Sequence, residues 1–135
     1  MAPVQVGAVA PQVEHTLTRT DLVRYAGASG DYNPMHHDEV RATAAGMPSV
    51  FGHGMLSMAL LGRAITDWLG AGSVRDYTVR FVKQTWPGDT LTTQVSVAGV
   101  REDEGQQLVD LECELVNQDG AAVVAGTATA VAPST

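Results

Sequence analysis

The sequence predicts an α+β fold, a curled antiparallel sheet wrapped around one central apolar helix. Three observations predict it. Residues Met55–Leu69 are apolar nearly all round a helical wheel, so that helix calls for cover on most sides. After Gly72 the hydrophobic period drops from 3.6 to 2, the signature of strands with one buried face. The alternating runs are separated by turn chemistry at 86–89 (WPGD), 101–106 (REDEGQ) and 117–120 (NQDG). An antiparallel sheet needs one covered face. A sheet bent around the helix satisfies both requirements.

The elements follow in order. Residues 1–15 are weakly patterned and predict an extended or partly mobile start. TLTRTDLVRYAGASG (16–30) predicts a helix, with Thr18 as N-cap and Asp21 three residues on in a capping-box position. Leu22, Tyr25 and Ala26 share a face, and Gly27 and Gly30 loosen or end the helix. Asn33-Pro34 breaks helical structure, so residues 29–37 read as loop. DEVRATAA (38–45) predicts a short helix stopped by Gly46 and Pro48. The Met55–Leu69 helix comes next. Tyr77–Phe81, Leu91–Val97, Val109–Leu115 and 121–131 then predict four strands in an antiparallel meander. One helix cannot fill the whole inner face, and exposed sheet edges invite pairing, so a homodimer or heterodimer is expected.

Composition bounds the function. At 135 residues the chain predicts one domain, 1–135. A net charge of −7 argues against nucleic-acid binding, which needs a basic face. A single cysteine, Cys113, forbids an internal disulfide and points to a reducing compartment, so the expected location is cytoplasmic. No secretory pattern opens the chain, and no run approaches the ~20 apolar residues of a membrane span.

The chemistry concentrates in SGDYNPMHHDE (29–39). Asp31 and His36, five residues apart on a turn, have the residue types of a general acid–base pair able to share one water. Asn33 and Pro34 would stiffen that turn. A polar surface loop with Asp31 or Asn33 as a cap accounts for the same residues. In FGHGML (51–56), Gly54 opens the apolar helix, where unsatisfied amides at the positive end of the dipole can take an oxyanion. A tight turn alone also explains that glycine. His53 reads as a structural hydrogen-bonder, and His37 and Asp38 as solvent-facing or capping. A metal set of His36, His37, Asp38 and His53 lacks ligand spacing, so no metal is expected. Ser57 lies within a helix and not on an exposed nucleophile elbow, which argues against a serine nucleophile. Cys113 alternates inward and reads as core.

YAGASGDYNPMHHD (25–38), GHGML (52–56) and YTVRFVKQTWPGDTL (77–91) together resemble the hydratase-2 pattern of MaoC-like proteins. These are (R)-specific enoyl-thioester hydratases and (3R)-hydroxyacyl-thioester dehydratases. The resemblance covers about residues 15–130 and is marked in particular toward the catalytic subunits of mycobacterial fatty-acid dehydratases. It implies a hot-dog fold, dimers, and an acyl thioester of coenzyme A or acyl carrier protein as substrate, with no cofactor. It also implies Asp31 and His36 as the catalytic pair and Gly54 as the oxyanion donor, with Asn33 shaping the loop and Met55 beside the substrate. Met35 stands where Leu, Ile or Val is usual. Gly62 occupies a position where some members carry a serine that bonds the catalytic histidine, leaving Ser57 and His53 as candidate supports. A thioesterase on the same fold, or a subunit active only in a heterodimer, is the alternative.

Overall fold

The computed structural model describes residues 4–134. A short strand, β1 (Glu14–Thr16), precedes three helices, α1 (Arg19–Ser29), α2 (Glu39–Ala44) and α3 (Gly54–Leu69). Four longer strands follow: β2 (Val74–Phe81), β3 (Thr90–Asp103), β4 (Gln106–Val116) and β5 (Ala122–Val131). They form one five-stranded antiparallel sheet in the order β1-β3-β4-β5-β2.

Local chemistry sets the helix ends. The Thr18 hydroxyl accepts the Asp21 N–H, and the Asp21 carboxylate accepts the Thr18 N–H at 2.8 Å, the reciprocal pair predicted for α1. Gly27 is absorbed into the helix, and Gly30 ends it at φ 76°, a left-handed conformation that glycine adopts without a Cβ penalty. Asp38 caps α2 by accepting the Arg41 N–H. Between them, Pro34–His36 form a 3-10 turn inside the predicted loop.

α3 lays Leu61, Ala64, Ile65 and Leu69 against the sheet. Leu61 and Ile65 are fully enclosed, and burial of each stabilises the fold by roughly 1.5–3 kcal/mol. From the strands, Leu91, Val95, Leu111, Leu115, Val124 and Ala128 close on the same core. Cys113 lies there too, and burial pushes its thiol up to about 12. Among the described residues no helix is long and apolar enough to cross a membrane.

Three expectations need correction. The meander holds for β3, β4 and β5, but β2 pairs with β5 at the far edge, not with β3. WPGD is therefore no hairpin. It belongs to a crossing segment anchored by Gly52 N–H to Thr85 O, Gly88 N–H to Leu17 O and Leu17 N–H to Asp89 O. The residues from Val4 to Val13 are no loose start either: Gly7, Ala10 and Val13 bond to Val97, Val95 and Thr93 along the edge of β3. Residues 1–3 lie outside the described range. Finally, the sheet covers only one side of α3. Met55 is 56% exposed, Ala59 is exposed, and Leu56, Leu60 and Trp68 are half-buried.

The β2–β5 edge depends on one glycine. A Cβ on Gly126 would stand 2.0 Å from the Thr78 carbonyl oxygen and 2.7 Å from Val79 Cα, both main-chain atoms that cannot swing aside. Gly126→Ala should therefore part the two strands and lower stability by about 1–3 kcal/mol, the usual range for overpacking. Urea denaturation against the unaltered chain measures it.

Candidate active site

The turn after α1 is built by its own side chains. Ser29 donates from its hydroxyl to Tyr25 O and accepts the Asp31 N–H. One Asp31 oxygen, Oδ1, accepts the Asn33 N–H at 3.2 Å, and Asn33 Oδ1 accepts the Met35 N–H at 3.1 Å. These bonds leave Asp31 Oδ2 free to face the next element. Asn33 thus shapes the loop, as its residue type predicts, without lining the cavity that His36 lines.

His36 is 8% exposed and packed edge-on against Phe51. Its Nδ1 lies 2.7 Å from the Phe51 carbonyl oxygen. A carbonyl can only accept, so Nδ1 donates, and the neutral ring carries its lone pair on Nε2. Nε2 faces Asp31 Oδ2 at 3.9 Å. That is too long for a direct hydrogen bond and suits a bridging water. With a lone pair on each side, a water between them donates both its hydrogens and turns its own oxygen outward.

His36 also lines a cavity of ≈ 310 Å³ with Phe51, Gly54, Ser57, Phe81 and Lys83. Its volume is at the lower end of the range for small-molecule sites. Gly54 is the first residue of α3, and no side chain caps that end. Among the described residues no acceptor takes the Gly54 N–H. The dipole of a sixteen-residue helix adds positive potential there. The Phe81 ring approaches to 3.3 Å of where a Gly54 Cβ would stand, so the glycine admits both ring and ligand close to the main chain. A larger hollow of ≈ 530 Å³ on the sheet, around Arg80, Gln94 and Glu112, contains none of these residues.

The remaining candidates separate cleanly. His37 bonds to Tyr32 O and is exposed, and Asp38 is occupied as a cap. Met55 turns outward and does not line the cavity. Ser57 is 3% exposed and does line it, one turn along α3 from Gly54. At Gly62 the space a side chain would use is taken by Tyr77, whose ring lies 3.1 Å from the Cβ position. Tyr77 donates its hydroxyl to Met58 O, and burial pushes the phenol's pKa up, keeping it un-ionised.

His53 sits behind the pair. Its ring stacks on His36 with centroids 3.8 Å apart and planes at 23°. Burial holds it below the ordinary imidazole range, opposed by the Asp31 carbonyl and reinforced by the neighbouring His36. Asp31, His36 and His53 each offer an atom within 4.8 Å of the others, a possible three-ligand set. Stacked rings, however, aim their lone pairs side by side and not at one point. The nitrogens already bonded to Phe51 O and Asp31 O are not available as ligands, which leaves His36 Nε2 and His53 Nδ1 as the ring atoms on offer.

Sequence reasoning missed the Phe51 carbonyl, which fixes the His36 tautomer, and Phe81, which walls the cavity beside Gly54. A main-chain acceptor has no sequence signature. Phe81 is the outermost residue of an alternating run, and its exposure (53%) becomes meaningful only beside α3.

Similarity to known proteins identifies the family. The model of the MaoC like domain matches residues 4–118. The (R)-specific enoyl-CoA hydratase of Aeromonas caviae is 30% identical over 115 residues, 84% of each chain. The chain is also 32% identical over 122 residues to the fatty acid synthase subunit beta of Aspergillus oryzae. That match takes in 78% of the chain but only 6% of the much longer fungal protein. Unliganded R-hydratase PhaJ1 from Pseudomonas aeruginosa superposes with a TM-score of 0.86 at 32% identity, covering 98% of this chain and 84% of that one.

Proposed function

The chain belongs to the MaoC-like domain family and has its hot-dog fold, and on that premise we propose that it interconverts trans-2-enoyl thioesters and (3R)-3-hydroxyacyl thioesters by adding and removing water. The observation that carries this reading is the 3.9 Å gap between Asp31 Oδ2 and His36 Nε2, with His36 lining the cavity that Gly54 also lines. Asp31 takes one proton from a water held in the gap while His36 Nε2 accepts the other O–H and aligns the oxygen on C3. Charge moves to the thioester oxygen, where the Gly54 N–H and the start of α3 stabilise it. The proton held by Asp31 returns at C2, with the imidazole as relay, so the pair ends as it began. Dehydration is the same path reversed. Asn33 holds the loop, and Ser57 offers a hydroxyl to the bound acyl group.

The substrate is an acyl thioester of coenzyme A or acyl carrier protein, handled without a cofactor, in the cytoplasm. The functional unit is a dimer. The half-covered face of α3 and the outer edge of β2 both call for a partner, and a second copy of the chain supplies one most simply. A related hot-dog subunit in a heterodimer is the alternative.

Purified protein should remove the conjugated enoyl absorbance of crotonyl-CoA without releasing thiol, give the (3R) alcohol, and elute at the mass of two chains. Thiol release with the double bond intact would establish a thioesterase instead. Activity only after mixing with a partner chain would establish the heterodimer.

A further inference from the structure

His53 is the most enclosed polar side chain near the cavity, at 1% exposure, yet it does not line the cavity. Its Nε2 lies 3.2 Å from the Asp31 carbonyl oxygen. That oxygen can only accept, so Nε2 carries the hydrogen and Nδ1 is left with a lone pair. Nδ1 is buried and has no partner among the described residues. The groups around the ring are His36 on its face, the Asp31 main chain at its edge, Tyr25 from α1 at 4.8 Å, and His37 farther along the turn. None offers an acceptor for a hydrogen on Nδ1. Packing alone would favour an apolar ring here, since a buried unpaired acceptor is rare and costly.

We propose that His53 is a positioning residue: its Nε2–H clamps the main chain of Asp31 while its face backs the His36 ring, so that the carboxylate-to-imidazole gap stays one water wide. The inference rests on Asp31 and His36 being the water-activating pair. One neutral ring holds both partners, one by a hydrogen bond and one by stacking. His53 touches neither water nor substrate.

Two measurements test it. In protein labelled with ¹⁵N-histidine, the His53 ring at neutral pH should be neutral with its proton on Nε2. A proton on Nδ1, or on both nitrogens, overturns the clamp. His53→Gln places an amide N–H near the Nε2 position, whereas His53→Asn reaches only as far as Nδ1. The kcat of His53→Gln on crotonyl-CoA should exceed that of His53→Asn by about tenfold, with both KM values within about threefold of the unaltered enzyme, as expected for a change in alignment. Equal kcat in the two variants overturns the proposal. If the unaltered protein leaves crotonyl-CoA untouched, the proposed reaction fails, and the tautomer measurement still decides the clamp.

Discussion

Asp31→Asn should lower the kcat for crotonyl-CoA hydration by about 10²–10⁴, the range typical of a lost general base. The amide has nearly the carboxylate's shape. Its oxygen can keep the Asn33 N–H that Asp31 Oδ1 now accepts, so the turn should survive. The atom facing His36 Nε2 becomes an N–H₂ group that cannot take a proton from water. The thioester sees the same cavity, so KM should change little. His36→Ala should fall as far, because it removes the other wall of the gap and leaves the Phe51 carbonyl without its donor. The double variant should be scarcely worse than either single one, since the two residues act on one water. Asp38→Asn is the control: that side chain caps α2 and lies outside the cavity lining. Initial rates with circular dichroism melts on each variant decide the matter. Turnover within about threefold of the unaltered enzyme in either single variant removes the pair from the mechanism.

The parts of this site that sequence made legible are those governed by neighbouring residues. Thr18 and Asp21, Gly30, Asp38, and the Asn33 bond to Met35 all act over two to four positions, and each stands where its residue type predicts. Strands β2 to β5 were legible, three of them from alternation bounded by turn chemistry, whereas the three-residue β1 (Glu14–Thr16) was not. The partner of β2 was not, because an alternating run states which face is buried but not which edge is paired. The close crossing of Gly126 over Thr78 has the same origin: one glycine in a small-residue strand looks like any other until the other strand is placed. The strap along β3 is carried by main-chain bonds of Gly7, Ala10 and Val13, whose side chains give no hint of it. Within the site, Asp31 and His36 were legible as a pair because the turn between them is short. The stacking of His53 on His36 was not, since it joins the end of one loop to the start of a helix seventeen residues later. The excess apolar surface of α3 signalled cover on every side. One chain supplies only half of it, and the remainder is what the proposed dimer accounts for.

The other large effect is expected from removing a single main-chain hydrogen. Gly54→Pro deletes the N–H proposed to hold the thioester oxygen and should lower kcat by about 10²–10³, or roughly 2.7–4 kcal/mol of barrier, the usual loss for one oxyanion donor. The position suits the substitution. Gly54 is the first residue of α3, where the helix itself makes no use of the N–H and proline is well tolerated. The residue before a proline must be extended, and His53 already is, at φ −65° and ψ 134°. Of the three added ring carbons, Cβ would meet Phe81 at 3.3 Å, but that ring is half exposed and can tilt. Gly54→Ala separates crowding from chemistry, because it brings the same Cβ against Phe81 and keeps the N–H. The proline variant should therefore melt close to the alanine variant and turn over far more slowly. The charge on the thioester oxygen develops only as water adds, so the missing hydrogen is felt most in the transition state and reads in kcat. Equal kcat in the two variants would show that the oxygen is held elsewhere in the cavity, and that the uncapped start of α3 serves the fold alone.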